Sequence, residues 1–370
     1  MPQNRETRIA LVGCGNIGVK GHLPAYARIP NLTLAAVCDT TGPLADKAAE
    51  LTGTPAYSSL GDLLDSVDVD AVDICTPPRT HAELAIEAME AGRHVLCEKP
   101  IAHSLRDADA MIEAAEANDV RLMIGQVRRF DHRYVALKSQ IDAGRVGRPV
   151  FIRRAERQLL PFPPDTWFWD PQAGGGVILD IGIHALDLFR WMFDQEPVEI
   201  RAVARAVHRS AREAGSFDYA MITCKFAGGG IGFAEASWAH PQEFGPSLYA
   251  SLDVVGTDGK LEYSDRNANP MLVFDGETGV ALPRYFALMS ATEHAFKAQI
   301  AHFVDSVRED KDFLVDAHDA RTALAMALAA QRSATSDRAV IRDFTTGIRD
   351  SNNESADQAA ATASPEDIRL

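Results

Sequence analysis

One stretch limits the possible folds of this chain more than any other. Gly13-Cys-Gly15-Asn-Ile-Gly18 directly follows the apolar run Arg8-Ile-Ala-Leu-Val and opens a segment, residues 16–28, with helical spacing. Three glycines at that spacing mean little alone. Placed between a buried strand and a helix, they form the turn of a βαβ unit whose backbone N–H groups can lie against a pyrophosphate. Gly13 would make the tight turn, Gly15 would let the backbone approach the phosphates, and Gly18 would let helix and strand pack closely. Asn16 and Ile17 lie in the same loop and count with it as cofactor contacts. The helix N-terminus adds free N–H groups and a favourable dipole.

Asp39 ends the second apolar run, about 20 residues beyond Gly18. A carboxylate there accepts hydrogen bonds from the adenosine ribose and repels a 2′-phosphate. Thr40 and Thr41 follow, with no adjacent Arg or Lys. The pattern therefore selects NAD over NADP. The competing interpretation is incidental glycines beside a strand-end Asp, and the context of the following elements weighs against it.

That context is regular. Residues 34–39, 71–75, 94–97 and 121–124 are short apolar runs, alternating with helical segments at 43–53, 79–91 and 104–117. Alternation of this kind gives a parallel sheet covered on both faces, and right-handed crossovers favour the doubly wound form. After about residue 148 strands follow strands, at 149–158, 198–208, 217–227, 231–238, 248–256 and 271–275, with glycine turns at 228–230 and 257–259. Helices are expected at 177–193, 291–309 and 317–334. The predicted fold class is α/β: an N-terminal Rossmann doubly wound parallel sheet plus a C-terminal α+β domain with a large, mostly antiparallel open sheet. The expected boundaries are 1–128 for the NAD-binding domain, 129–345 for a substrate and oligomerisation domain, and 346–370 for a disordered tail rich in Ser, Asn, Asp, Glu and Ala.

Composition removes several function classes. A formal charge of −15 disfavours nucleic-acid binding and adhesion to anionic membranes. The five cysteines are odd in number and form no CxxC pair, so neither a disulfide framework nor a zinc site is expected. The polar N-terminus lacks a signal-peptide core, and no run approaches the roughly 20 apolar residues that span a bilayer. A cytoplasmic protein follows.

The candidate chemistry lies at strand ends. Thr76-Pro77-Pro78 follows the third strand, where such sheets bind ligands. Thr76 and Pro77 are assigned to the cofactor, and for Pro78 an ordinary turn role weighs equally. His81 is assigned with them and His22 is a further candidate, although surface or capping roles suit both better. Glu98-Lys99-Pro100 ends the fourth strand, and Glu98 and Lys99 are counted as cofactor contacts. Lys99 could also hydrogen-bond a substrate hydroxyl and stabilise developing alkoxide charge; a salt-bridged surface lysine is the equal alternative. In Gly174-Gly-Gly-Val-Ile-Leu-Asp180-Ile-Gly-Ile-His184, positions 180 and 184 share a helix face. His184 is a candidate general base. Asp180 could tune it or contact substrate, or merely pair with Lys99. Asp187 reads as structural, with Arg190 a candidate partner. No third metal ligand is apparent, and hydride transfer to NAD needs no metal, so none is expected.

In this order, the glycine loop, Thr76-Pro77-Pro78 with His81, Glu98-Lys99-Pro100 and Gly-Gly-Gly-x-x-x-Asp180-x-x-x-His184 resemble the glucose–fructose oxidoreductase / inositol dehydrogenase / rhizopine catabolism MocA family. The resemblance runs from about residue 8 to 345. It implies oxidation or reduction of a sugar, cyclitol or related polyol at a secondary alcohol, with Lys99, Asp180 and His184 as the catalytic group. Gly125-Gln-Val-Arg128-Arg129-Phe-Asp131 and the segment from Ala295 to Ala334 resemble inositol 2-dehydrogenases. By that likeness Arg128 contacts substrate and Arg129 is structural. Trp167, ahead of the glycines, either walls a sugar ring or packs in the core. A polyol or sugar substrate, a homodimer or homotetramer, and no nucleic-acid or membrane partner complete the expectation. Rival activities are a keto-sugar reductase and a glycoside-processing enzyme with retained NAD; the non-enzymatic rival is an NAD-sensing regulator.

Overall fold

The apolar runs of the first third become one parallel sheet. The computed structural model describes residues 6–159, 163, 166–240, 248–265, 271–274, 279–281, 291–341 and 344. Its first six strands are β1 (Thr7–Val12), β2 (Leu32–Cys38), β3 (Ala56–Tyr57), β4 (Ala71–Ile74), β5 (His94–Glu98) and β6 (Leu122–Gly125). They lie in the order β3-β2-β1-β4-β5-β6, and every pairing is parallel. The chain winds outward from β1 in one direction and from β4 in the other. The carboxyl ends of β1 and β4 therefore mark the topological switch point, at which such sheets bind ligands. The central strands are buried on both faces, including Ile9 to Val12, Val72, Ile74, Leu96 and Cys97.

Contact density divides the chain into two units: Met1–Tyr134 with Ala287–Arg321, and Val135–Phe286 with Thr322–Leu370. The helix Ala291–Glu309, grouped with the second domain on sequence order, belongs to the first unit. Its stripe Ile300, Phe303, Val304 and Val307 has the spacing of one helix face. That stripe enters a single apolar cluster with Ile9, Leu11, Tyr26, Val37 and Met123. A fully buried side chain of this size contributes about 1.5–3 kcal/mol, so the stripe outweighs chain order. Arg321 closes the segment by forking onto Asp109.

The second unit carries a nine-stranded mixed sheet. Its strands are β7 (Pro149–Leu159), β8 (Pro197–Arg205), β9 (Tyr219–Phe226), β10 (Ile231–His240), β11 (Leu248–Gly256), β12 (Lys260–Ser264), β13 (Met271–Phe274), β14 (Gly279–Ala281) and β15 (Val340–Ile341). The order is β14-β13-β12-β11-β7-β10-β9-β8-β15, and among the described residues only β7 and β10 pair in parallel. The mostly antiparallel expectation holds. Strand alternation gives the sheet two characters: Ile200, Ala202, Ala204, Ile222, Cys224 and Phe226 are buried, whereas Arg201, Val203, Met221 and Lys225 are exposed. The helix Ile183–Phe193 lies on the buried face, close enough that a Cβ on Gly232 would come within 2.5 Å of Phe189. The short strands β12, β14 and β15 carried too little pattern to anticipate. The expected tail 346–370 and Asp275 lie outside the described residues.

All five cysteines are free. Among the described residues, no helix is long and apolar enough to cross a membrane.

Candidate active site

The glycine loop fits a dinucleotide. Gly13 has φ +98°, a conformation that L side chains rarely adopt. A Cβ on Gly18 would lie 2.1 Å from the Gly13 carbonyl oxygen, so helix and turn can meet only without it. A Cβ on Gly15 would meet nothing within 4 Å, leaving the backbone there open to a ligand. Asn16 and Ile17 are exposed at the tip of the loop. The helix that follows begins irregularly, with a wide π turn over Gly18–His22 before Leu23–Tyr26. Such turns recur at functional sites, and no sequence pattern announced this one. Burial pushes the Cys14 thiol up to about 12, with Asp39 adding to the shift, so Cys14 packs beneath the loop as a neutral thiol.

Asp39 proves to be part of the loop's scaffold. Its Oδ2 accepts the Cys14 N–H at 2.8 Å and its Oδ1 accepts the Thr41 N–H at 2.7 Å. The carboxylate thus joins the end of β2 to the turn after β1. Asp39→Ala is expected to weaken NAD binding about 10–100-fold, the scale of one or two lost charge-assisted hydrogen bonds. It should also relax discrimination against NADP by at least about tenfold, as repulsion of the 2′-phosphate disappears. Titration of both cofactors checks this, and a wild type that prefers NADP would contradict it.

The loops after β4 and β5 are tied together by His81. Its Nε2 lies 2.8 Å from the Thr76 carbonyl oxygen and its Nδ1 lies 2.9 Å from that of Pro100. Neither a cofactor contact nor a surface role describes this ring: it is fully buried, and both nitrogens face the protein. Burial moves its pKa down against the opposing pull of the carbonyls. Pro78 is buried at the start of the 3₁₀ turn Pro78–Thr80, which gives it the turn role. Thr76 and Pro77 remain partly exposed at the strand end.

Lys99 is half-exposed at the end of β5, and the peptide that follows it is cis. Glu98, assigned to the cofactor by sequence, instead turns its carboxylate inward. Glu98 Oε2 accepts the Lys99 N–H at 3.2 Å, while Oε1 lies 3.2 Å from His22 Nε2. The opposite face of His22 meets Asp73, with Nδ1 2.7 Å from Oδ2, and the Tyr26 hydroxyl donates to the same oxygen at 2.7 Å. His22 and Asp73 are fully buried, which removes the surface or capping role expected for His22. His22, Asp73 and Cys75 hold ligand-type atoms within 4.8 Å of one another, but those of His22 and Asp73 are committed to each other and to Tyr26. Burial pushes Glu98 upward, yet the His22 hydrogen bond and charge, with Lys99, bring its pKa below the ordinary value.

At the end of β6, Val127–Phe130 forms a 3₁₀ turn. Arg128 is largely buried, with Nη1 3.9 Å from Asp131 Oδ2. Arg129 donates to the Leu314 carbonyl at 3.1 Å and to Asp319 at 3.0 Å, which is the structural role expected of it.

In the second unit, Asp180 lies in another wide π turn, Ile178–Gly182, and His184 in the helix Ile183–Phe193 that continues it. With i→i+5 bonding, four residues complete just under one turn, so the two side chains stay on one side of the helix. Asp180 is half-buried and His184 largely buried. Asp187 is buried in the same helix, and Arg190 forks onto Glu196. Trp167 is half-exposed and stacks on Phe168 with ring centroids 3.8 Å apart. Trp169 packs in the core, edge-on to Trp238.

Comparison with known proteins bears on the fold and the cofactor. The family model described as "Oxidoreductase family, NAD-binding Rossmann fold" matches residues 7–126, and "GFO/IDH/MocA C-terminal domain" matches residues 134–262. Myo-inositol 2-dehydrogenase of Thermotoga maritima is 29% identical over 340 residues, covering 90% of this chain and 98% of that protein. Rhizopine catabolism protein MocA of Rhizobium meliloti is 30% identical over 325 residues, covering 87% and 93% respectively. Among solved structures, myo-inositol 2-dehydrogenase from Lactobacillus plantarum superposes with a TM-score of 0.80 at 25% identity, covering 91% of this chain and 99% of that one.

Proposed function

Because this chain belongs to the Gfo/Idh/MocA oxidoreductase family, we propose that it oxidises a secondary alcohol on the ring of a cyclitol or sugar, with NAD as the oxidant. The observation that carries this reading is a half-exposed Lys99 at a strand end of an NAD-binding Rossmann sheet, on a backbone anchored to the buried Glu98. Gly13, Gly15, Asn16, Ile17, Gly18, Asp39, Thr76 and Pro77 hold the dinucleotide. Bound NAD supplies the hydride acceptor.

The chain's own groups manage the proton and the charge. His184 accepts the hydroxyl proton. Lys99 donates a hydrogen bond to the substrate oxygen and stabilises the negative charge that grows there as the carbinol C–H bond breaks. Asp180 orients the substrate and tunes His184. Arg128 and Trp167 contact the ring, the first through its donors and the second through its face. An assay of NADH formation on cyclitols, aldoses and sugar acids, at neutral and alkaline pH, should find turnover with at least one cyclitol or sugar. Binding of NAD with no NADH from any of them would instead support the regulatory role.

The open face of the second unit's sheet, with Val203, Met221 and Ile231 exposed among charged neighbours, suits burial against a second copy. A homodimer or homotetramer is the expected form. The mass in solution checks it, and a monomer at micromolar concentration contradicts it. The five free thiols suit a reducing compartment, so we place the enzyme in the cytoplasm.

A further inference from the structure

We propose that His22 is a positioning residue for Lys99: bridging Asp73 and Glu98 inside the first unit, it fixes the carboxylate that anchors the Lys99 backbone. The inference rests on the reading that Lys99 meets the substrate oxygen, and it adds a buried support for that lysine.

The geometry is that of a bridge, tight at Asp73 and longer at Glu98. His22 Nδ1 stands 2.7 Å from Asp73 Oδ2 and Nε2 stands 3.2 Å from Glu98 Oε1, so each ring nitrogen faces a carboxylate. A neutral imidazole donates from one nitrogen only and would turn a lone pair toward the other carboxylate. Only the imidazolium donates to both, and it also places one positive charge between two negative ones. Burial opposes that charge, but Asp73 outweighs it and carries the His22 pKa well above its ordinary value.

The groups facing the ring come from four elements. Tyr26 belongs to its own helical segment, Asp73 and Cys75 to β4 and the residue beyond it, and Glu98 to β5 with Lys99 after it. The helix Ala291–Glu309 closes the last side with Phe296, whose ring centroid lies 4.9 Å from that of His22 and carries no charge. Glu98 is confined as well. A Cβ on Gly125 would fall 2.7 Å from its Oε1 and 3.2 Å from Gln299 Nε2, so only glycine on β6 leaves the carboxylate its place.

Removing the bridge takes from the buried Glu98 the stronger of its two cations. A buried carboxylate in that state takes up a proton or turns away. Either response changes the acceptor that the Lys99 N–H uses. A displacement of about 1 Å in a catalytic group costs on the order of 100-fold in rate. The effect belongs on kcat, because neither the glycine loop nor Asp39 depends on Glu98.

The test uses the full-length protein. His22→Gln is expected to lower kcat about 10–100-fold, to leave KM for substrate and NAD within about threefold, and to move the Lys99 backbone amide resonance. Tyr26→Phe removes only the far arm of the network and should keep kcat within about threefold. In the wild type, ¹⁵N spectra of the His22 ring at neutral pH should show both nitrogens protonated, a measurement that needs no variant and no substrate. A neutral His22 ring, or a His22→Gln protein with wild-type kcat and an unmoved Lys99 amide, would overturn the proposal. Absence of turnover in the wild type on every substrate would defeat the dehydrogenase reading instead. The ring and amide resonances then decide the bridge by themselves.

Discussion

Lys99→Ala is expected to lower kcat by about 10²–10³, the usual cost of removing one donor from a developing oxyanion. The Kd for NAD should change by less than about threefold. The asymmetry follows from where the side chain sits. In the proposed reading the pyrophosphate meets the turn after β1 and the ribose meets the end of β2, whereas Lys99 follows β5, two strands from β1 in the sheet order. Its ammonium interacts more strongly with an oxygen gaining negative charge than with a neutral hydroxyl, so its loss falls on the transition state. Lys99→Arg should restore little, because the planar guanidinium fork differs in reach and shape from a compact ammonium. Parallel rate and binding measurements check the split. Turnover within a few-fold of wild type in Lys99→Ala would remove Lys99 from the chemistry.

His184→Asn is expected to lower kcat by about 10²–10⁴, the range typical of a lost general base. The side chain is similar in size and polar, and it keeps no group that titrates near neutrality. The readout that separates a base from a packing residue is the pH profile. The acid-side limb of the wild-type kcat/KM profile is assigned to the catalytic base. In the variant that limb should flatten while a residual rate persists. His184 is largely buried in the helix Ile183–Phe193, so a thermal melt of the variant must accompany the kinetics. An unchanged acid limb with a well-folded variant would assign the proton to another group.

Much of this was legible in the sequence because the signals were local. The glycine turn, the strand-end Asp39 and the Asp180–His184 spacing each fit within a few residues of one element. The sheet of the first unit followed from alternating apolar runs, and the mostly antiparallel second sheet from strands without helices between them. What escaped depends on distance along the chain. His22 and Asp73 are 51 residues apart and His22 and Glu98 are 76 apart, so nothing adjacent to His22 marks its partners. A histidine in a helical segment suggests a cap or a surface position, and only folding brings β4 and β5 against it. A place at a strand end fixes the backbone of Glu98 but not the direction of its carboxylate. Order along the chain groups the helix Ala291–Glu309 with the second sheet, and its stripe at 300, 303, 304 and 307 names no partner until the chain folds. The two π turns, at Gly18–His22 and Ile178–Gly182, are backbone features without a residue signature.

Transfer of hydrogen from the ring carbinol carbon to the cofactor is the event on which the whole account turns. The most direct measurement uses a turned-over cyclitol or sugar carrying deuterium at that carbon, with NAD in ordinary water. The expected result is reduced cofactor labelled at nicotinamide C4, one deuterium for each substrate oxidised, and a slower rate if C–H cleavage limits turnover. Unlabelled NADH, or product formed with no net reduction of the cofactor, would contradict it.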